Sequence, residues 1–148
     1  MLTQALRTLY LRDLHTLHRE IAAFRQEADL WRTLPGISNS AGNLCLHLCG
    51  NLRHYIGHVL GGEEYVRDRP LEFSAKDLPK AHLLQEVDHT IRSVELGLGA
   101  LDPAQLETPF PAPLPMDTSN TGHFLLHLYG HLSWHLGQIN YLRRLLEP

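Results

Sequence analysis

Four long stretches of the chain repeat apolar residues at steps of three and four, the spacing that places side chains on one face of an α-helix. They cover residues 3–31, 40–60 and 78–101, and the last runs from Thr118 or Ser119 almost to the C-terminus. The apolar face of the first stretch contains Leu6, Tyr10, Leu14, Leu17, Ile21, Phe24 and Ala28. Each stretch is therefore predicted to be an amphipathic helix with one buried face.

Residues that start or stop helices separate these stretches. Pro35–Gly36 ends the first, and Ser38-Asn39-Ser40 offers an N-cap to the second. Gly61–Gly62 ends the second, and a charged loop follows over residues 63–77. With no confident strand, the sequence predicts an all-α protein with one domain over residues 1–148, a four-helix bundle. The connections before the third and fourth helices are both long, so the connectivity of the bundle stays open.

Length, charge and cysteine content narrow the class of protein. The chain has 148 residues, 43% of them hydrophobic, and a formal net charge of −3, which gives no electrostatic reason to expect a nucleic-acid partner. Its two cysteines, Cys45 and Cys49, lie four residues apart in a predicted helix, and we expect reduced thiols in the core. The sequence has no cleavable signal and no stretch of membrane-spanning length, so we predict a cytoplasmic protein with no membrane partner.

Histidines provide the candidate chemistry. The chain has 11 of them, and four pairs are spaced four residues apart: His54/His58, His123/His127, His127/His131 and His131/His135. The apolar stripe of the last helix runs through His135, and His131 lies one turn earlier at its edge. A histidine on a buried face needs partners for its ring nitrogens, and one metal ion can satisfy two imidazoles a turn apart. The alternative is a pair of core histidines bonded to carbonyls or hydroxyls.

A metal site of this kind needs a third ligand from another helix. The second helix offers a polar edge composed of His47, Asn51, His54 and His58, and periodicity does not choose among them. A zincin-type HExxH motif is not present, since Leu132 stands where the glutamate would be. The pattern of residues therefore predicts a metal site with one ligand undetermined.

The motifs in the two halves of the chain resemble those of a known family. In the first half they are Asn39-Ser40, His47-Leu-Cys-Gly-Asn51-Leu-Arg53, Glu63-Glu64 and Arg67-Asp-Arg69-Pro-Leu-Glu72-Phe73. In the second half the motif is Gly130-His131-Leu-Ser-Trp-His135-Leu-Gly-Gln138-Ile. Together they resemble the DinB/YfiT-like superfamily of metal-dependent enzymes, in particular a subfamily of unknown function. The resemblance extends over most of the chain.

This resemblance implies a four-helix bundle with three histidine ligands, one on the second helix and two on the last. Carried over to this chain, the implied ligands are His47, His131 and His135. Asn51 and Gln138, each a turn or less beyond a ligand, are then candidates for contact with substrate or cofactor. Three neutral imidazoles suit zinc, nickel, iron or manganese, and the sequence does not separate these metals.

The resemblance also implies an activity. Superfamily members include thiol-dependent S-transferases and a thiol-dependent maleylpyruvate isomerase, which use bacillithiol or mycothiol. We therefore expect a small-molecule substrate or thiol, with Arg67 or Arg69 binding its anionic groups, and a homodimer as in related bundles. A metal-dependent hydrolase would use the same ligands. The alternative hypothesis is a non-catalytic metal-binding or stress-response bundle.

Overall fold

The computed structural model describes residues 2–148 and contains five α-helices and no strand within that range. The four helices of the bundle are α1 (Leu2–Ala23), α2 (Ala41–Leu52), α4 (Lys80–Gly99) and α5 (Thr121–Leu146). A short helix, α3 (Arg69–Ser74), lies in the connection between α2 and α4. The all-α fold predicted from the sequence is confirmed.

The second predicted helix runs to Leu60, but it changes geometry on the way. Beyond α2 the chain continues as a π-helix over Arg53–Leu60, and Gly61 N–H donates to the carbonyl of Ile56, five residues earlier, at 2.9 Å. The helix begins where the sequence predicts, because the Ser40 hydroxyl accepts from the backbone N–H of Asn43. This continuous α-plus-π segment carries His47 in its α-helical part.

Two local predictions were wrong. The first helix was expected to continue to Trp31, but α1 ends at Ala23 and a separate 3₁₀ helix covers Glu27–Trp31, so Ala28 is exposed. The connection over residues 63–77 was expected to be a loop throughout, yet it contains α3. Asp68 starts α3 by accepting from the N–H of Leu71 at 3.0 Å, and Pro70 occupies its first turn.

The four long helices form a ring in which α1 and α2 each pack between α4 and α5. Cross-helix bonds give their directions. Arg7 at the start of α1 pairs with Glu95 near the end of α4, so these two helices are antiparallel. Tyr10 bonds the Leu125 carbonyl and Glu20 bonds Arg143, so α1 and α5 are parallel.

Helix α2 runs antiparallel to α5, since His47 on α2 meets His131 while Tyr55, on the π-helix that continues α2, contacts Phe124 edge to face at the start of α5. Both α2 and α4 are therefore antiparallel to α1 and α5, and parallel to one another. Two neighbouring parallel helices require a connection that returns along their length. Residues 61–79, hereafter the crossover, make that return.

The core fills the centre of the ring. Its largest fully buried side chains include Tyr10, Phe24, Phe124, Leu48, Ile56 and Leu83. Cys45 and Cys49 are buried on α2 and unbridged, as predicted. Within residues 2–148, no helix combines the length and the apolar character needed to cross a bilayer.

Candidate metal centre

Three histidines from two antiparallel helices meet at one point. His47 projects from α2, and His131 and His135 project from successive turns of α5. One ring nitrogen from each residue lies within 4.8 Å of the other two. The Nε2 atoms of His47 and His131 are 3.0 Å apart. The structure thus brings together the two histidines that periodicity singled out and the third that the family resemblance implied.

The other two histidines on the polar edge of α2 do not join this cluster. The rings of His54 and His58 stack on each other at 6.0 Å, and His58 bonds the carbonyl of Glu63. Burial, and then the positive charge of Arg67, lower the pKa of His54. Of the four residues that periodicity left open, His47 is the one that reaches the α5 pair.

Hydrogen bonds fix the tautomers of two of the three rings. His47 Nδ1 lies 3.0 Å from a carboxylate oxygen of Glu72, and His135 Nδ1 lies 2.7 Å from Gln138 Oε1. Carboxylate and amide oxygens only accept, so both Nδ1 atoms carry the proton and donate. Arg67 Nη2 also lies 3.4 Å from His47 Nδ1, but its shorter contact, at 2.9 Å, is the bond that it donates to Glu72 Oε1. Each Nε2 is left with its lone pair free, which is the form of histidine that binds a metal.

His131 has the least satisfied ring of the three. Its Nδ1 is buried and has no hydrogen-bond partner among residues 2–148. The Nε2 of His131 faces the Nε2 of His47, and the His47 nitrogen is unprotonated and presents a lone pair. A cation between the rings would bind both lone pairs and leave the His131 proton on Nδ1, so this arrangement fits a metal ion.

The surroundings of the two α5 histidines keep their imidazoles neutral. Burial, followed by the neighbouring His135 and His47, lowers the pKa of His131 to about 3. Burial is also the main cause that lowers the pKa of His135, although its bond to Gln138 acts in the opposite direction. Both rings are therefore uncharged at neutral pH and can donate electron pairs to a cation.

The donor set suits the divalent metals expected from the sequence. Imidazole nitrogens bind zinc, nickel, iron and manganese. For a tetrahedral ion with metal–nitrogen distances of about 2.1 Å, ligand nitrogens are about 3.4 Å apart. The separations here, from 3.0 Å to within 4.8 Å, require only small ring movements to reach that value. The three residues could hold such an ion.

Glu72 is a member of the site that the sequence did not single out for a role. It lies on α3, is only 6% exposed, and accepts two bonds from Arg67, with Nε at 2.8 Å and Nη2 at 2.9 Å. Burial raises the pKa of its carboxyl, but the bonds from His47 and Arg67 outweigh that effect, and the pKa is lowered overall. The sequence offers only a weak signal for this role, because a single glutamate in a charged segment is indistinguishable from one exposed to solvent.

The remaining residues expected to contact substrate or cofactor differ in their burial and in their hydrogen-bond partners. Asn51 is buried one turn beyond His47, and its Oδ1 lacks a partner in the described part of the chain. Gln138 bonds His135, and Arg67 is occupied by Glu72. Arg69 is exposed, and its guanidinium lies 5.2 Å from the centre of the Phe73 ring. Phe73 in turn packs against His47 at 4.8 Å.

Comparison with models of known protein families gives one finding that bears on this site. The model of the DinB superfamily matches residues 4–139, which include all three histidines of the cluster. Comparison with curated proteins gives no match.

Proposed function

We propose that this chain, which belongs to the DinB superfamily, is a metal-dependent enzyme that joins a low-molecular-weight thiol to an electrophilic small molecule. The observation that carries the proposal is the convergence of three histidine rings within 4.8 Å, two of them held with Nε2 free. Three such ligands leave at least one coordination position of a divalent ion for another molecule.

The chemistry supplied by the ion is the same for a thiol and for water. A divalent cation held by uncharged ligands keeps its full charge and lowers the pKa of a thiol or water molecule bound to it. The residues of the chain hold the ion, orient the rings and contact the substrate. We assign Asn51 to that contact, because its buried Oδ1 is unpartnered in the described structure and lies a turn from His47.

Arg69 is the better of the two arginines for recognising an anionic substrate or thiol. It is exposed and held against the Phe73 ring, which itself packs on His47. Arg67, by contrast, directs two donors at Glu72. A carboxylate group of the thiol beside Arg69 would form a charge-assisted hydrogen bond close to the three histidines.

Metal analysis tests the site. The purified protein should contain about one divalent ion per chain, and a variant with His47, His131 and His135 all changed to Ala should contain none. His15→Ala, on the exposed side of α1, is the matched control and should keep its metal. Equal metal content in the triple variant and the unchanged protein would contradict the site assignment.

Turnover tests the activity. Metal-loaded protein should conjugate bacillithiol, mycothiol or a simpler thiol to a model electrophile such as monochlorobimane, and His135→Ala should abolish the rate. Hydrolysis of ester or amide substrates without use of thiol would overturn the transferase assignment in favour of a hydrolase. Bound metal without any rate above that of His135→Ala would favour the non-catalytic alternative.

A further inference from the structure

The crossover supplies His47 with a second layer of contacts. It runs back along α2 and is fastened there by Asn43, whose side-chain amide donates to the carbonyls of Glu72 at 3.0 Å and Ala75 at 2.8 Å. These bonds place α3 directly beside the turn of α2 that carries His47. The backbone anchor therefore sets the position of the Glu72 carboxylate.

Glu72 is held in this position as a charged group. A carboxylate that is 6% exposed is costly to bury unless its oxygens are bonded. Here Oε2 accepts from Arg67 Nε, and Oε1 accepts from Arg67 Nη2 and from His47 Nδ1. The forked geometry of the guanidinium fixes the plane of the carboxylate, and the carboxylate in turn fixes the His47 ring.

Gly50 makes room for this arrangement. It lies on α2 one residue before Asn51, and a Cβ atom at this position would overlap Glu72 Oε2 and lie 2.7 Å from its Cδ. Any side chain at residue 50 would therefore push the carboxylate away from His47. The glycine is explained by the close approach of the Glu72 side chain rather than by the backbone conformation, since the residue is helical.

We propose that Glu72 is a positioning residue for the metal centre, held by Arg67 and accommodated by Gly50. It is not a ligand itself: its Oε1 bonds Nδ1 of His47, on the side of the ring opposite the Nε2 that faces His131. By accepting that proton it keeps His47 in the Nδ1–H tautomer, directs Nε2 at the α5 histidines and makes Nε2 a stronger donor. This proposal rests on the metal site described above. It gives Arg67 the role of holding Glu72 in place rather than of binding a substrate or thiol.

The first test measures the tautomer in metal-free protein, where a purely structural role for Glu72 would have no effect. The ¹⁵N NMR signals of the His47 ring should show the Nδ1–H form in the unchanged protein. In Glu72→Gln they should move toward a mixture of tautomers, while Glu20→Gln, which alters a comparable pair with Arg143 between α1 and α5, should leave them unchanged. An unaltered His47 tautomer in folded Glu72→Gln would overturn the proposal.

The second test measures zinc affinity by competition with a chromophoric chelator. Loss of a partner that orients a metal-binding histidine typically weakens binding by about 10- to 100-fold, and we expect that loss in Glu72→Gln and none in Glu20→Gln. Gly50→Ala and Arg67→Lys displace the carboxylate while retaining its charge, so they should weaken binding in the same direction even if Glu72→Gln fails to fold.

Comparison with His47→Ala distinguishes a failure of the positioning role from a failure of the metal site itself. If His47→Ala and the unchanged protein bind zinc equally, the metal site itself is wrong. If His47→Ala loses zinc while Glu72→Gln, Gly50→Ala and Arg67→Lys bind as the unchanged protein does, the site stands and the positioning role is overturned.

Discussion

Several polar side chains in the core of this protein have a specific partner. Tyr10 is the clearest example: its side chain is fully buried on α1, and its hydroxyl donates to the backbone carbonyl of Leu125 on α5 at 2.6 Å. Burial, with a smaller effect from Tyr129, raises the pKa of Tyr10 well above its usual value, so the hydroxyl stays protonated and remains a donor. One hydroxyl thus joins the two parallel helices.

Replacing that hydroxyl should cost stability without affecting metal binding. Tyr10→Phe removes this bond between α1 and α5, and we expect the free energy of unfolding to fall by about 0.5–1.5 kcal/mol in urea titrations. Tyr65→Phe is the control, because that side chain is only partly buried and lies outside the helices, so its loss of a hydroxyl should be close to neutral. A Tyr10→Phe protein as stable as the unchanged one would show that this bond adds nothing to stability.

The end of α1 shows how tertiary partners can override a helical pattern. Apolar spacing continues past Ala23, yet the chain breaks there because other elements satisfy its backbone groups. Lys80 Nζ donates to the carbonyl of Phe24 at 2.8 Å, and the Glu147 carboxylate accepts from the N–H groups of Arg25 and Gln26. The break turns Phe24 into the core, where it is 1% exposed.

The Glu147 contact predicts a specific dependence of stability on pH. Burial raises the pKa of this carboxyl, but the bonds from Arg25 and Gln26 outweigh it and lower the pKa overall. A lowered pKa in the folded state means that the stabilisation is fully present above the unfolded value of about 4.3. It is lost as the pH falls through the lower, folded value.

Melting temperatures of the unchanged protein and of Glu147→Gln should therefore differ at pH 7 and converge as the solution becomes more acidic. The variant should be the less stable of the two at pH 7, since a neutral amide is a weaker acceptor for two backbone N–H groups. A difference in melting temperature that stays constant down to pH 3 would show that the charge of the Glu147 carboxylate does not stabilise the chain where α1 ends.

The bundle as a whole exposes an apolar face on α5. Trp134, Tyr141 and Leu145 are 70%, 64% and 62% exposed and lie on one side of that helix. Gly137, beside them, has open space where a side chain would begin, which would allow another helix to approach closely. We propose that this face is the contact surface of the homodimer that the family resemblance implies.

Light scattering after size exclusion should give the mass of a dimer at micromolar concentration. Trp134→Glu or Tyr141→Glu should shift the protein toward the monomer, because each would place a charge in the apolar contact. Leu96→Glu, at a residue 72% exposed on α4, is the matched control and should remain dimeric. A monomeric unchanged protein would contradict the prediction.

Much of the bundle could be predicted because local rules govern it. Apolar residues at helical spacing define α1, α2, α4 and α5, and the Ser40 cap and the prolines between α4 and α5 set boundaries that depend on neighbouring residues. His131 and His135 could be paired for the same reason, since a separation of four residues on one helix fixes their relative position.

Contacts between distant parts of the chain could not be predicted in this way. The α2 periodicity did not distinguish His47 from His54 or His58, because the choice depends on which turn of α2 faces α5. Glu72 acquired its role only when the crossover folded back along α2, as two parallel neighbouring helices require, and when Gly50 left space for it. Helical spacing is a property of adjacent residues, whereas ring-to-ring and ring-to-carboxylate distances depend on how whole helices pack.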